Sequence, residues 1–219
     1  ALLDTCSTLD DAGILRVGAG ANLEEAKKPV FMEAKGRRIG FLGASRVIPE
    51  GSWNATSKGP GMLTTYDPAL LLEEIKKARE VCDYLVVYVH WGIERDERPQ
   101  EYQRTMGKQY IDAGADMVIG SHPHVLQGME YYKGRPIVYS LGNFVFGSSI
   151  PKTALLTVEW DGEDALLRLV PGTSSGGYTR MLEDEGDKAG FYQYITSISY
   201  GVTVGEDGIV APVEEKAAE

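Results

Sequence analysis

Residues 84–92 read Tyr-Leu-Val-Val-Tyr-Val-His-Trp-Gly, and this stretch decides the fold class. Its first six residues form a continuous apolar run, which is typical of a strand buried on both faces of a parallel sheet. A helix predicted to begin at Pro99 and a second short apolar strand at Met117–Ile119 follow it. Strand, helix and strand at this spacing indicate a crossover unit. The sequence therefore predicts an α/β fold.

The rest of the chain shows weaker patterns. One helix is predicted over the first ten residues with a stop near Gly13, and another opens at Asp67-Pro68. Residues 44–66 have no periodicity and are predicted to form a long functional loop. Residues 171–190 are polar and glycine-rich, and we predict no helix there. Further strands are predicted at residues 30–34, 37–43, 136–141, 154–160, 165–170, 202–204 and 209–212.

Length and composition indicate an ordinary globular protein. The chain has 219 residues, of which 43% are hydrophobic and 25% charged, and this excludes a disordered, collagen-like or coiled-coil protein. Two cysteines exclude a disulfide scaffold and a four-cysteine zinc site. We predict one main domain over residues 1–172, with an acidic extension over residues 173–219 that packs on it.

The net charge of −10 is concentrated at the end of the chain, since residues 153–219 carry 13 acidic and only 4 basic side chains. Nucleic-acid surfaces need clustered Lys and Arg, so we predict no nucleic-acid partner. Like charges also repel, so we expect the acidic segment, including Glu183, Asp184 and Glu185, to lie away from any site for an anionic polymer.

All three histidines of the chain follow predicted strands. His90 comes directly after the strand at residues 84–89, and His122 and His124 follow the strand that begins at Met117. Ligands of α/β sheets bind outside the carboxyl ends of the strands. Adjacent strands lie about 5 Å apart, so the three imidazoles are predicted to converge on one metal site. Imidazole alone suits zinc, iron, manganese, copper or nickel.

Four other residues near these histidines are candidates for the site. Glu94 is predicted to orient a histidine, contact substrate or carry a proton, and a solvated acid is the alternative. Trp91 is a candidate site wall, with packing against the following helix as the alternative. Gln127 and Asn143 are candidate substrate contacts, although Asn143 is equally suited to holding a turn.

Several motifs resemble the bacterial CapA family of capsule and poly-γ-glutamate biosynthesis. They are Val89-His-Trp-Gly-Ile-Glu94, Asp112-Ala-Gly-Ala-Asp116, Ile119-Gly-Ser-His-Pro-His-Val-Leu-Gln127 and Tyr139-Ser-Leu-Gly-Asn-Phe-Val-Phe146. The resemblance implies a calcineurin-like metallophosphatase fold, an α/β/β/α sandwich. It also implies divalent metal ions, two in the wider superfamily, with Mn, Zn, Fe and Mg as the candidates. In that superfamily a lone histidine after one strand and a Gly-x-His-x-His element supply metal ligands. His90 matches the first, and Gly120-Ser-His122-Pro-His124 resembles the second, shifted by one residue.

The resemblance also implies residues before Ala1. The family's opening Gly-Asp strand and its Asn-Asn-His block have no counterpart in the chain, so the N-terminal strands of the fold are expected upstream. A membrane anchor is expected there too, together with a location outside the cytoplasm.

Three functions remain open from the sequence. The first is a capsule polymer biosynthesis protein that handles an anionic polymer or a small-molecule substrate, with other membrane proteins of capsule synthesis as partners. The second is a dinuclear metal-dependent hydrolase that cleaves a phosphoester or an amide, in which the metals activate water. The third is a non-catalytic module that binds an anionic polymer.

Overall fold

The computed structural model describes residues 1–213 and confirms a mixed α/β fold. The helices are α1 (Leu2–Asp11), α2 (Leu23–Ala26), α3 (Ala69–Arg79), α4 (Glu101–Ala113) and α5 (Glu185–Ile198), with a 3-10 turn at Gly51–Trp53. The strands are β1 (Ala19–Gly20), β2 (Val30–Ala34), β3 (Arg37–Ser45), β4 (Gly61–Met62), β5 (Tyr84–His90), β6 (Met117–Ser121), β7 (Met129–Tyr132), β8 (Arg135–Val138), β9 (Ile150–Trp160), β10 (Ala165–Ser175), β11 (Tyr178–Met181), β12 (Val202–Val204) and β13 (Ile209–Pro212). Within residues 1–213, no helix is long and apolar enough to cross a bilayer.

The chain divides into two compact units. The first comprises Ala1–Gly92 and Glu101–Gly120, and the second comprises Ile93–Gln100 and the chain from Ser121 onward. The boundary predicted after residue 172 stays a prediction. Residue 172 lies inside β10, where the pairing with β11 begins and the register of the pairing with β9 shifts between Gly172 and Ser174.

The first unit is organised around strands in the order β2-β3-β5-β6. β3 and β5 pair in parallel, from Ile39 opposite Tyr84 to Ser45 opposite His90. Leu85, Val87 and Val89 are fully buried, as the apolar run predicts for a central parallel strand. β5, α4 and β6 follow one another as predicted, and the parallel pairing of β3 with β5 brings the carboxyl ends of these two strands side by side.

A buried carboxylate holds the helices of this unit to its sheet. Asp116, just before β6, accepts a hydrogen bond from the Leu85 backbone N–H in β5 at 2.8 Å. The same carboxylate pairs with Arg79 at the end of α3, also at 2.8 Å. Such charge-assisted bonds are stronger than neutral ones, so Asp116 stabilises the register of the sheet and the docking of α3.

The second unit contains the hairpin β7–β8 and a separate antiparallel sheet. In that sheet the strands follow the order β11-β10-β13-β12, and β9 also pairs with β10. The strands predicted at residues 154–160 and 165–170 are present, and β9 and β10 pair antiparallel as a hairpin. Asp161 holds its turn by accepting bonds from the backbone N–H groups of Glu163 and Asp164. This arrangement makes β10 the central strand of the sheet.

The helix α5 is absent from the sequence prediction, which treated residues up to 190 as irregular. Asp184 begins the helix by accepting a hydrogen bond from the Asp187 N–H at 3.0 Å. Phe191, Tyr192 and Ile195 form its buried side. The capping aspartate and the spacing of 191 and 195 were available signals, but the surrounding acidic and glycine residues obscured them.

Candidate functional site

His90 is the last residue of β5, in the first unit. It pairs in register with Ser45 at the end of β3, and its backbone carbonyl accepts a hydrogen bond from the Arg46 N–H at 2.7 Å. The strand cannot continue because Gly92 has a φ of 98° and the preceding Trp91 turns into the interior. His90 is therefore an exposed residue at the carboxyl end of a central parallel strand, as the sequence predicted.

His122 and His124 lie in the second unit on a loop with unusual backbone geometry. The φ angle of His122 is 104° and that of His124 is 64°. Non-glycine residues rarely adopt positive φ, and such strain is concentrated at functional sites. Pro123, between them, accepts a hydrogen bond from the Arg95 N–H at 2.8 Å, and the two imidazole centroids lie 6.1 Å apart. The loop thus holds the two imidazoles close together.

Asn143 orients the His124 ring. The Asn143 Oδ1 lies 3.0 Å from His124 Nδ1, and the Asn143 backbone N–H donates to the His124 carbonyl at 3.3 Å. Because an amide oxygen can only accept, Nδ1 must carry the proton in this bond. The lone pair of a neutral His124 then lies on Nε2, which is the usual arrangement for a histidine that binds a metal or accepts a proton.

The electrostatic surroundings favour a neutral His122. Partial burial lowers the pKa of His122, and the nearby His124 acts in the same direction. The Glu94 carboxylate opposes both effects, because its negative charge favours the protonated ring. A neutral imidazole is the form that can ligate a metal or act as a base.

A cavity of about 540 Å³ opens beside His124 in the second unit. Glu94 and Asn143 line it together with His124. Lys152 lies 4.0 Å from the centre of the Tyr194 ring, and both residues line the same cavity. Burial and a hydrogen bond to Glu97 raise the pKa of Tyr194, so its hydroxyl stays protonated. The cavity thus combines acidic, basic and imidazole groups over a volume typical of ligand pockets.

The sequence alone gave no indication of Lys152, Tyr194 or Arg95 in this cavity. Lys152 sits near the start of a long strand, Tyr194 is on the helix that was not predicted, and Arg95 has no distinguishing motif. Only the folding of β9 and α5 in the second unit brings them to the same cavity. These three residues are far apart in the sequence, so no local sequence pattern shows that they share a cavity.

Trp91 and Gln127 are buried side chains, one in each unit, and their contacts are with other protein groups. Trp91 is completely buried and stacks on Tyr110 of the following helix with ring centroids 6.2 Å apart. This is the packing alternative, so the structure gives the indole no open face for substrate. Gln127 is also buried, and its Nε2 donates to the carbonyls of Asp96 and Arg98. It holds the loop that carries Glu94.

The acidic residues of the C-terminal third contribute to a different cavity of the second unit. Glu183 and Glu185 line it together with Lys188 and Arg168. Within the described residues, none of the positions 183–185 lines the His124 cavity. This agrees with the expectation that the acidic segment lies away from that cavity.

The residues around His124 fit a metal ion only in part. The imidazoles have suitable chemistry, since His124 presents Nε2 and the pKa of His122 is lowered. Over residues 1–213, however, no group of three or more His, Cys, Asp and Glu side chains is arranged to hold a metal. We therefore derive no chemical step through a metal ion. The prediction that His90 shares a site with His122 and His124 stays a prediction.

Comparison with known proteins identifies the family. Residues 1–148 match the family described as Bacterial capsule synthesis protein PGA_cap. The chain belongs to this family. It is 36% identical over 201 residues to the Capsule biosynthesis protein CapA of Bacillus anthracis, which covers 88% of the chain and 48% of that protein. It is 41% identical over 138 residues to the PGA biosynthesis protein CapA of Bacillus subtilis, which covers 63% of the chain and 36% of that protein.

The chain spans about half or less of the length of these family members. Among solved structures, it is similar to a phosphatase from Mycoplasma pneumoniae, with 14% identity and a TM-score of 0.38 over 70% of this chain and 56% of that one. A TM-score below 0.5 supports no argument about the site. The family membership thus rests on sequence.

Proposed function

We propose that this chain is the part of a capsule biosynthesis protein that handles poly-γ-glutamate or a related anionic polymer outside the cytoplasm. The observation that carries the proposal is the family match over residues 1–148, together with relatives named for capsule and PGA biosynthesis. A calcineurin-like metallophosphatase scaffold, other membrane proteins of capsule synthesis as partners, and a membrane anchor upstream of Ala1 stay predictions from the resemblance.

We place the polymer contact in the cavity beside His124. Lys152 and Arg95 give this cavity two cationic groups that can pair with polymer carboxylates. The Tyr194 ring supports the Lys152 ammonium by a cation–π contact, which restricts the side chain while leaving its hydrogens available. Asn143 contributes by fixing His124 next to the bound segment.

Glu94 is the candidate proton carrier of the same cavity. Its carboxylate lines this cavity together with His124, and its charge opposes the lowering of the His122 pKa by burial, so it is the acid that is placed to move a proton to or from a bound substrate. Gln127 holds the loop on which Glu94 stands, which limits the positions that the carboxylate can take. In this proposal His124 and Glu94 act on a bound substrate, and Lys152 positions it.

The test is genetic replacement in the bacterium that carries the gene. The full-length gene is replaced by versions encoding His124→Ala or Lys152→Ala, and the polymer at the cell surface is measured against the level of the protein. We expect at least a tenfold loss of polymer for His124→Ala and a smaller loss for Lys152→Ala.

Lys188→Ala is the matched control, because Lys188 lines the other cavity of the same unit. It should leave the polymer level unchanged. Normal polymer in the His124→Ala strain would contradict the proposed site, and normal polymer after deletion of the whole gene would contradict the proposed function.

Metal content separates the remaining alternatives. We propose that His90, His122 and His124 contribute ligands to divalent metal ions, with Mn, Zn, Fe and Mg as candidates. Elemental analysis of the purified full-length protein and of its His122→Ala and His124→Ala variants tests this. Two ions per protein at pH 7.5, reduced in the variants, would support the metal-dependent hydrolase. No metal at that pH would support the non-catalytic binding module.

A further inference from the structure

Arg46 stands at a position in the first unit that the sequence motifs did not single out. It directly follows β3, and its backbone N–H donates to the carbonyl of His90 at 2.7 Å. It therefore lies where two parallel strands end side by side. In open α/β sheets this edge is where ligands bind.

Two aromatic rings hold the Arg46 guanidinium. Its central carbon lies 4.5 Å from the ring centre of Tyr66 and 4.7 Å from that of Tyr102. The Tyr102 ring is fixed in turn, because its hydroxyl accepts a hydrogen bond from the Gly92 N–H at 2.8 Å. We call Arg46, Tyr66 and Tyr102 the arginine clamp. Since both contacts restrict the guanidinium, the side chain has lost most of its rotational freedom before any ligand arrives.

The clamped guanidinium lacks an anionic partner among the described residues. Over residues 1–213, no carboxylate pairs with Arg46, and its Nε is buried without a hydrogen-bond acceptor. Other arginines of the same unit are neutralised, since Arg16 pairs with Asp10 and Arg79 pairs with Asp116. A buried donor without an acceptor is unusual in folded proteins and needs an explanation.

The positive charge of Arg46 also reaches the interior of the unit. Burial raises the pKa of the Tyr110 hydroxyl, and the hydrogen bond to Thr65 and then the charge of Arg46 oppose this rise. A cation that is partly desolvated, held by two rings and left without a counter-charge is poised to bind an anion. The Tyr66 side of the clamp is open, since this ring is 57% exposed, so a ligand can approach from solvent.

We propose that the arginine clamp binds an oxyanion group, a phosphate or a carboxylate, through the planar donor edge of Arg46. Guanidinium presents parallel N–H donors that match two oxygens of such a group, and the buried Nε–H would gain the acceptor that it lacks. The guanidinium carbon lies over both rings, and the exposed Tyr66 ring gives the ligand its way in. This inference concerns a site in the first unit and does not depend on the proposed polymer contact beside His124.

The experiment is a titration of the full-length protein at low salt with two probes, inorganic phosphate and a short γ-linked glutamate oligomer. Calorimetry gives the affinity, and the Nε–H resonances of the arginines in ¹⁵N-labelled protein show which side chain responds. We expect the Arg46 Nε–H resonance to shift with at least one probe. Arg46→Lys, which keeps the charge but loses the planar fork, should weaken binding of that probe at least about tenfold.

Arg38→Lys is the matched control. Arg38 lies on the same strand β3, and its guanidinium stacks on the ring of Phe31 at 4.3 Å, but at the opposite end of the strand. This variant should bind both probes as the wild type does. A response to phosphate alone assigns the site to a phosphate group, and a response to the oligomer alone assigns it to a carboxylate.

Two results would overturn the proposal. One is the absence of any shift of the Arg46 Nε–H resonance up to millimolar concentrations of both probes. The other is equal binding by Arg46→Lys, Arg38→Lys and the wild type. Because Tyr66 is exposed, Tyr66→Leu serves as a second variant that loosens the clamp without removing the arginine, and it should give an intermediate loss.

Discussion

The end of β5 in the first unit and the loop of residues 121–125 in the second present histidines in opposite ways. His90 completes a regular parallel ladder, in register with Ser45 on β3. His122 and His124 stand on a loop in which both have positive φ. Backbone pairing positions the first histidine, whereas side-chain and loop contacts must hold the other two.

This difference shows two physical routes to a candidate site residue. A strand end needs no strained backbone, because the ladder hydrogen bonds define the position of the side chain. A left-handed residue without a glycine costs about 1–2 kcal/mol, and surrounding contacts must compensate it. For the 121–125 loop these contacts are the bonds from Arg95 to Pro123 and from Asn143 to His124. The two routes lead to different responses to mutation.

The largest loss of stability is expected for a substitution beside the carboxyl end of β5. Trp91→Ala removes a completely buried indole that stacks on Tyr110 next to His90. We expect the free energy of unfolding to fall by about 3–5 kcal/mol, as for other buried aromatic truncations. Chemical denaturation monitored by circular dichroism measures it. Trp53→Ala is the control, because Trp53 is 48% exposed and should cost far less. Equal losses would show that Trp91 is not part of the core.

A smaller loss of stability is expected when Gln127, which holds the loop of residues 93–100 in the second unit, is truncated. Gln127→Ala leaves the carbonyls of Asp96 and Arg98 without their buried donor, which should cost about 1–3 kcal/mol. The loss should be local, so hydrogen exchange of residues 93–100 should accelerate more than that of β5. Gln109→Ala, on the exposed side of α4, is the control and should leave both rates unchanged. Uniform acceleration throughout the chain would contradict a local role.

Glycine substitutions test the two backbone routes directly. At His122 the φ of 104° suits glycine, so His122→Gly should be more stable than His122→Ala by about 1 kcal/mol. At His90, inside a strand, the order should reverse, and glycine should be less stable than alanine by about 0.5–1 kcal/mol. Thermal and urea unfolding of the four variants provide the measurement. The same order at both positions would remove the distinction between the two regions.

The smallest effect is a pH dependence in the second unit. Burial raises the pKa of Tyr131, whose hydroxyl donates to the Val210 carbonyl at 3.2 Å. A raised folded pKa means that this contribution to stability is complete below the unfolded value of about 10 and is lost as pH rises through the folded value.

Between pH 8 and 11, the wild type should therefore lose more unfolding free energy than Tyr131→Phe does. Tyr178→Phe is the control, because Tyr178 is 83% exposed and its removal should leave the pH profile unchanged. Identical profiles for the wild type and Tyr131→Phe would show that burial of Tyr131 does not affect its ionisation in the folded protein.

Local sequence signals were sufficient where secondary structure alone defines position. The apolar run ending at Val89, the strand patterns at residues 30–34 and 37–43 and the Asp67-Pro68 helix start each predicted an element that the structure contains. They succeed because strand burial, turn conformation and helix capping depend on residues adjacent in the chain. The same reasoning placed His90, His122 and His124 after strands.

The helix α5 marks the limit of such signals. Its buried residues Phe191, Tyr192 and Ile195 stabilise it through tertiary packing, and its own composition does not favour a helix strongly. Packing of this kind provides most of the stability of helices in proteins, and it depends on partners distant in sequence. Tyr194, which supports Lys152 in the cavity, could not be predicted for the same reason.

The sequence by itself determined the α/β class, the family and the candidate residues, because these depend on local pattern and on motifs. Only the tertiary structure decided what those residues do. It buried Trp91 and Gln127 as supports, turned His124 with Asn143 towards a cavity, and left the Arg46 guanidinium between two rings without an acid. Burial and partnership arise when distant segments pack together, and no single stretch of the chain encodes them.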